Sequence, residues 1–551
     1  MGLLVDIFGY LTVVLRGLTL AAQSGTIGGI AFLALVARPF AASLGAPGAL
    51  IERRCRIFLA CSAVAFALAA ALTILLEAAV LMGSLDLSLA DTLGAGFARA
   101  NLVIIAAALL IALLCRARLS RQTTIALVAL GVIALTAQVA TGHAAARLDG
   151  RVALGLADFL HMLGAGVWIG GIPYFIVALN RTDNATAWRR IGKRFSNISM
   201  AAVAVLVVAG TVMAVVYVGS IAAIYGTAYG VMVSTKVALL LMLLMLGGMN
   251  FLLVERLRRD PATPILRLKR FAEVEIGIGL TVLFAAASLT SQPPGADLTT
   301  DRATAHEIVE RLTPQMPRFA SPDHASLAIS QLEARIAASE QTAGAKVPQA
   351  YVPGEGLVPP RNAMDIAWSE YNHHWSGIFV LAIGLLALLE RTGRAPWARH
   401  WPLLFIGLAL FLLIRSDPEV WPLGDIGLMA SLRDPEVVQH RVFVVIIAAF
   451  GIFEWCVRTG RIRRPGAALI FPLLTAAGGM LLLTHSHALS NIKEQLLIEI
   501  THVPLALAGM TAGWARWIEL RLPGRPARIA SWVWPAAFVV VGFILLIYRE
   551  S

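Results

Sequence analysis

Apolar positions in this chain come in long runs broken by short polar, Arg-rich interruptions, a pattern unlike the i, i+3, i+4 stripe of a soluble helix. A run crosses the hydrocarbon core if it offers about 20 mainly apolar residues. About fourteen runs qualify, near residues 7–37, 56–83, 97–115, 122–142, 152–180, 195–219, 231–254, 272–290, 373–391, 400–415, 438–457, 467–487, 495–515 and 530–548. The 400–415 run is the weakest because it is short. Each is far longer than a barrel strand of about 10 residues, so the pattern predicts an all-α integral membrane protein. The first run has no basic stretch before it and extends to about Val36, too long for a signal peptide, so it reads as a permanent helix.

Residues 291–371 interrupt the pattern with a Pro-rich polar segment that holds one amphipathic stretch, Ser326–Ser339. It reads as a periplasmic insert between an eight-helix membrane domain, 1–290, and a six-helix one, 372–551. A short repeat, Asp417-Pro418-Glu419-Val420 and Asp434-Pro435-Glu436-Val437, has N-cap and first-turn chemistry, so each copy is expected to start a helix.

Composition agrees with a membrane chain: 58% hydrophobic, 14% charged, mean hydropathy +0.76. The net charge of +12 suggests nucleic-acid binding only until the basic residues are placed. Most fall in alternate loops, around Arg53–Arg56, Arg116–Arg121, Arg189–Arg194, Arg256–Arg270, Arg391–Arg399, Arg458–Arg464 and Arg516–Arg528. That is the positive-inside pattern, which makes those loops cytoplasmic and both termini periplasmic, with lipid rather than nucleic acid as the partner. The setting expected is a bacterial inner membrane.

The same topology sorts the histidines. His143, His306, His324, His373, His374, His440, His485 and His487 fall at the outer face, His161 and His502 in the outer half of their helices, and only His400 on the inner side. Imidazole is the commonest metal ligand, so this asymmetry points to metal capture from outside. Cys55, Cys61, Cys115 and Cys456 fall at inner helix ends, without CxxC spacing; thiols suit a reduced soft ion, and a small apolar residue suits any helix. Arg16, Glu77, Asp158, His161 and Lys236 are ionisable groups inside apolar runs of the first domain, which places them against a bundle interior or a wet cavity, paired with one another. Asp158 and His161 are three apart on one helix face, so Asp158 is expected to orient His161. In the second domain His373, His374, His440, His485 and His487 mark outer helix ends. Gln495, Glu499 and His502 form one stripe below them, with Pro504 as a candidate kink.

The stretch His161-Met162-Leu163-Gly164-Ala165-Gly166-Val167-Trp168-Ile169-Gly170-Gly171, with Thr141-Gly142-His143-Ala144, Lys236 and Asn250, resembles the signature of the copper resistance protein D (CopD) family over residues 1–290. Residues 371–520 are similar, on weaker grounds, to the carboxy-terminal extension of longer CopD-like proteins, through Tyr371-Asn372-His373-His374-Trp375, Gln439-His440-Arg441 and Thr484-His485-Ser486-His487. The resemblance implies handling of copper ion, Cu(I) or Cu(II), with import across the inner membrane in concert with a periplasmic copper-binding protein. The candidate ligands are His143, His161, His373, His374, His440, His485, His487 and His502, with Asp158, Glu499, Lys236, Arg16 and Glu77 in support. No MxxM or CxxC ladder crosses the membrane. Two alternatives stay open: a b-type haem protein with His161 and His502 as axial ligands, although these fall in different domains, and a copper-delivery factor without translocation. The sequence holds no Walker A loop, Gly-x-Ser-x-Gly elbow or His-Glu-x-x-His helix, so no enzymatic activity is expected.

Overall fold

A computed structural model describes residues 2–85, 87–182, 184–299, 302–322, 363–417, 420–432, 435–484 and 492–550. Among the described residues thirteen helices are long and apolar enough to cross a membrane: α1 (Phe8–Ala41), α2 (Ala46–Gly83), α3 (Gly96–Leu114), α4 (Arg121–Val139), α5 (Arg151–Leu179), α6 (Ala185–Val218), α7 (Ala228–Arg259), α8 (Leu266–Thr290), α9 (Ile366–Arg391), α10 (Pro396–Arg415), α11 (His440–Arg458), α13 (Leu496–Arg521) and α14 (Arg525–Leu546). A shorter apolar helix, α12 (Ala467–Leu482), lies between α11 and α13. The weak span is therefore α12 rather than α10, whose first turns, Pro396–Leu403, are wound as 3₁₀ helix ahead of Leu404–Arg415. Large side chains such as Leu75, Val208, Met245 and Val445 are exposed, as a lipid-facing surface requires.

Contacts divide the chain into two compact units, Leu3–Tyr225 with Tyr229–Thr300, and Asp301–Ser551 with Gly226–Ala228. The insert is divided between them: its residues 291–299 fall in the first unit and its described residues from 302 onward in the second, where Lys493 pairs with Glu307 at 2.5 Å and Arg549 donates to the Glu310 carbonyl at 2.5 Å. The stretch Ser326–Ser339 lies outside the described residues.

In the first unit two helices are broken, each for a local reason. Pro39 lacks the N–H that would bond the Leu35 carbonyl, and α1 widens into a π turn over Leu33–Ala37. Arg194 of α6 donates to that Leu35 carbonyl instead. α5 breaks between Trp168 and Ile172, at Gly170-Gly171 followed by Pro173. There α1 and α5 touch backbone to backbone: a Cβ on Gly170 would lie 1.8 Å from the Ser24 carbonyl oxygen, and one on Gly28 would lie 2.1 Å from the Gly170 carbonyl carbon. Gly166 faces Ile27, and Gly164 faces the Ala202 carbonyl of α6. The small residues of the signature thus form the seam on which α1, α5 and α6 close, and small residues at membrane-helix contacts do this generally.

In the second unit α9 packs on α14 through Gly377, Gly384 and Gly542, and α12 packs on α13 through Gly479 and Gly513. At one end Arg391, Arg458 and Arg516 meet Glu390, Glu454 and Glu519 around Trp401 and Trp534. Arg458 lies 2.7 Å from both Glu390 and Glu454, Arg516 is 2.6 Å from Glu519, and Arg391 is 2.5 Å from the same carboxylate. The Arg458 guanidinium stands 4.6 Å from the Trp401 ring. Arginines that read in sequence as loop charges are here the buried half of an ionic network.

One expected helix start is corrected. Asp417 begins no helix; the chain turns, and Val420 bridges Ile426. The second copy behaves as expected, with a helix running Pro435–Arg458.

Candidate metal sites

His161 is set between α5 and α6. Its Nδ1 lies 3.1 Å from the Leu206 carbonyl, and the ring fits against Gly210, where a Cβ would come within 3.0 Å of it. A carbonyl only accepts, so Nδ1 carries the proton and Nε2 the lone pair. The orienting role expected of Asp158 thus falls to a backbone carbonyl. Asp158 answers instead to the charges of Arg16 and Lys236, and Lys236 also faces His161. Arg16 acts on Glu77 as well, and donates to Thr141 Oγ1 at 3.3 Å. Glu77, Arg16, Asp158, Lys236 and His161 thus lie within electrostatic reach of one another in that order, with no ion pair joining them among the described residues.

His143 stands just beyond α4, its ring 6.2 Å from that of Tyr217. It hydrogen-bonds the Thr290 backbone, while its Nε2 is buried with no partner. Burial first and the Arg16 charge second hold its imidazole below the ordinary value, so it is neutral at pH 7. Arg147 lies over the Tyr217 ring and pairs with Asp297 at 2.7 Å.

In the second unit His373 of α9 and His502 of α13 come together. Their ring centroids are 6.3 Å apart and nearly perpendicular, with Tyr548 stacked on His373 at 3.9 Å and edge-on to His502 at 5.9 Å. Each Nδ1 donates to a carbonyl one turn back in its own helix, Ser369 at 2.8 Å and Ile498 at 2.9 Å. The lone pairs again reside on Nε2. Glu550 is buried beside them, accepting from Ser369 and from the Tyr548 hydroxyl at 3.0 Å. Glu499 is buried on α13, which runs unbroken through Pro504.

His374 differs. Its Nε2 donates to the Tyr548 carbonyl at 2.8 Å, and its Nδ1 accepts the Arg318 N–H at 2.7 Å. With both nitrogens bound to backbone, this histidine, expected as a ligand, clamps the insert and the C-terminal tail onto α9. His440 donates from Nδ1 to Asp417 at 2.6 Å, a carboxylate–imidazole pair. His485, His487 and the Gln495 side chain lie outside the described residues. Among the described residues no three His, Cys, Asp or Glu side chains form a metal-binding group. What the described residues bring together in the second unit is a pair of imidazoles, His373 and His502.

Tyr548 and Glu550 were not among the sequence candidates. Nothing in a polar tail after an apolar run says which helix end it will cover.

Residues 189–289, which cover α6 from its second turn through nearly all of α8, match the family model described as copper resistance protein D. The copper transport protein CutJ of Bacillus subtilis (strain 168) is 34% identical over 163 residues, 29% of this chain and 29% of that protein. The match therefore spans less than a third of the curated relative's length. No solved structure matches.

Proposed function

We propose that this chain, a CopD-family membrane protein by its match across α6–α8, takes up copper at its histidine-rich face and carries it inward across the bacterial inner membrane. The observation that carries this reading is a shared tautomer. His161, His373 and His502 donate Nδ1–H to backbone carbonyls, and His440 donates to a carboxylate. In a neutral imidazole that donation leaves the lone pair on Nε2, the state in which ligand histidines are held by the partner of their other nitrogen. His143, with its buried Nε2, belongs to the same set.

Copper is the cargo on this reading. His373 and His502 hold it in the second unit, with Glu499 and Glu550 supplying nearby negative charge, and His143 and His161 hold it in the first. Arg16 and Lys236 stand within electrostatic reach of Asp158, and Arg16 within reach of Glu77, as polar support for that site. Delivery by a periplasmic copper-binding protein and periplasmic termini complete the proposal.

The test is metal content by mass spectrometry, with an absorption spectrum, on detergent-purified protein before and after copper addition. Copper should bind stoichiometrically and fall in the His373→Ala/His502→Ala and His143→Ala/His161→Ala doubles. His374→Ala should keep its copper and lose stability instead, because each buried backbone group left unpaired costs about 1–3 kcal/mol. Copper unchanged in both doubles, or iron with a Soret band, would overturn the reading.

A further inference from the structure

Glu275 of α8 stands nine residues from the Arg-rich end of its helix, about 13 Å along the axis at 1.5 Å per residue. It is only 4% exposed. Asn250 of α7 lies at the matching depth, nine residues before Arg259, and its Nδ2 donates to Glu275 Oε1 at 2.5 Å. Asn250 Oδ1 is buried without a hydrogen-bond partner.

The titratable groups on the surrounding helices are engaged elsewhere. Arg38 of α1 reaches Thr124 at 3.5 Å, Tyr174 of α5 donates to the Gly25 carbonyl at 2.8 Å, and Arg194 of α6 donates to the Leu35 carbonyl. On α7, Lys236 faces Asp158 and His161, and Glu255 pairs with Arg258 and Arg259. On α8 itself Arg270 pairs with Glu273, and Lys269 lies further toward the loop. None of these pairs with Glu275.

An ionised carboxylate here has one amide donor and no cation, and a buried charge left so is costly. A protonated one is neutral, and its O–H is the donor that Asn250 Oδ1 lacks, so acid and amide then bond reciprocally. We infer that Glu275, capped by Asn250, is an intramembrane proton-binding site, loaded at neutral pH, which gives up its proton when a cation passes through the first unit. A passing cation stabilises the carboxylate, the O–H bond breaks, and the proton goes to water; a proton from water later restores the acid. The coupling rests on the copper movement proposed above, whereas the protonation does not.

The two are separated by two readouts on the full chain. Infrared spectra at neutral pH should show a protonated-carboxyl C=O band, sensitive to deuterium exchange, that is lost in Glu275→Gln and kept at a shifted position in Glu275→Asp. In proteoliposomes given copper, a pH-sensitive dye should report proton movement that is lost in Glu275→Gln. A band unchanged in the Gln variant, or proton movement with copper unchanged in it, overturns the inference. If wild-type protein takes no copper while the band still disappears with Glu275, the copper reading fails and the proton site stands.

Discussion

A neutral imidazole has one donor and one acceptor nitrogen, and the backbone around it decides which is which. That decision separates His373 from His374, neighbours in sequence with opposite tautomers. The histidines themselves were legible in the sequence, and loop charges set the expectation that they share one face. Their tautomers were not, since these depend on carbonyls such as Leu206 and Tyr548, 45 and 174 residues away in the chain. His143 offers a test at this scale. Its folded value lies below the unfolded one of about 6.5, so between the two the unfolded chain binds more protons. Its contribution to stability is full above about pH 6.5 and is lost as the pH falls through the window below. Histidine-selective NMR titration should place its midpoint under 6.5, and His143→Gln should remove that part of the acid-side loss. A midpoint at or above 6.5 would mean that its Nε2 is hydrated rather than buried.

Elements were the most readable level, because the cost of exposing a backbone to lipid forces every long apolar run into a helix. What the runs concealed was where a helix stops being regular. Pro39 and Pro173 signal the two breaks, yet only the packed structure shows that Arg194 satisfies the first and that Gly28 and Gly170 meet at the second. The first Asp-Pro-Glu-Val copy misled for a related reason: Asp417 has a cap's chemistry, but His440 and Arg441 claim its carboxylate, the latter at 3.8 Å. The glycine seam gives a sharp expectation. Gly170→Ala drives a methyl to 1.8 Å from a backbone oxygen that cannot step aside, so the helices must part. Overpacking of this kind costs at least about 1–3 kcal/mol, and here it should abolish the folded protein in a detergent thermal-shift assay. Gly248→Ala, in α7 with open space around the position, should be neutral or slightly stabilising through helix propensity. Equal behaviour of the two variants would show that α1 and α5 do not cross as described.

At the scale of the molecule the question is direction, and α12 decides it for the second unit. Its 16 residues span about 24 Å, short of a typical core of about 30 Å, so its length alone does not prove that it crosses. The two clusters at the ends of the unit do better. His373 near the start of α9, His502 near the start of α13 and Tyr548 after α14 share one end. Arg391 closing α9, Arg458 closing α11 and Arg516 near the close of α13 share the other, through Glu390, Glu454, Glu519 and the rings of Trp401 and Trp534. Since α11 finishes where α13 also finishes, the chain between them must return across the unit, and α12 is the only described helix available for the return. A short crossing is tolerated by local thinning of the bilayer at modest cost. Reporter fusions after Arg394, Arg463 and Arg521 should therefore all report the same side, and by their arginines the cytoplasmic one. Fusions at the C-terminus and near His306 should report the periplasm, with phosphatase active there and a fluorescent protein dark. Arg463 and Arg521 on opposite sides would mean that α12 fails to cross. The imidazole pair of His373 and His502 would then have no fixed face from which to draw copper, however well its nitrogens are set.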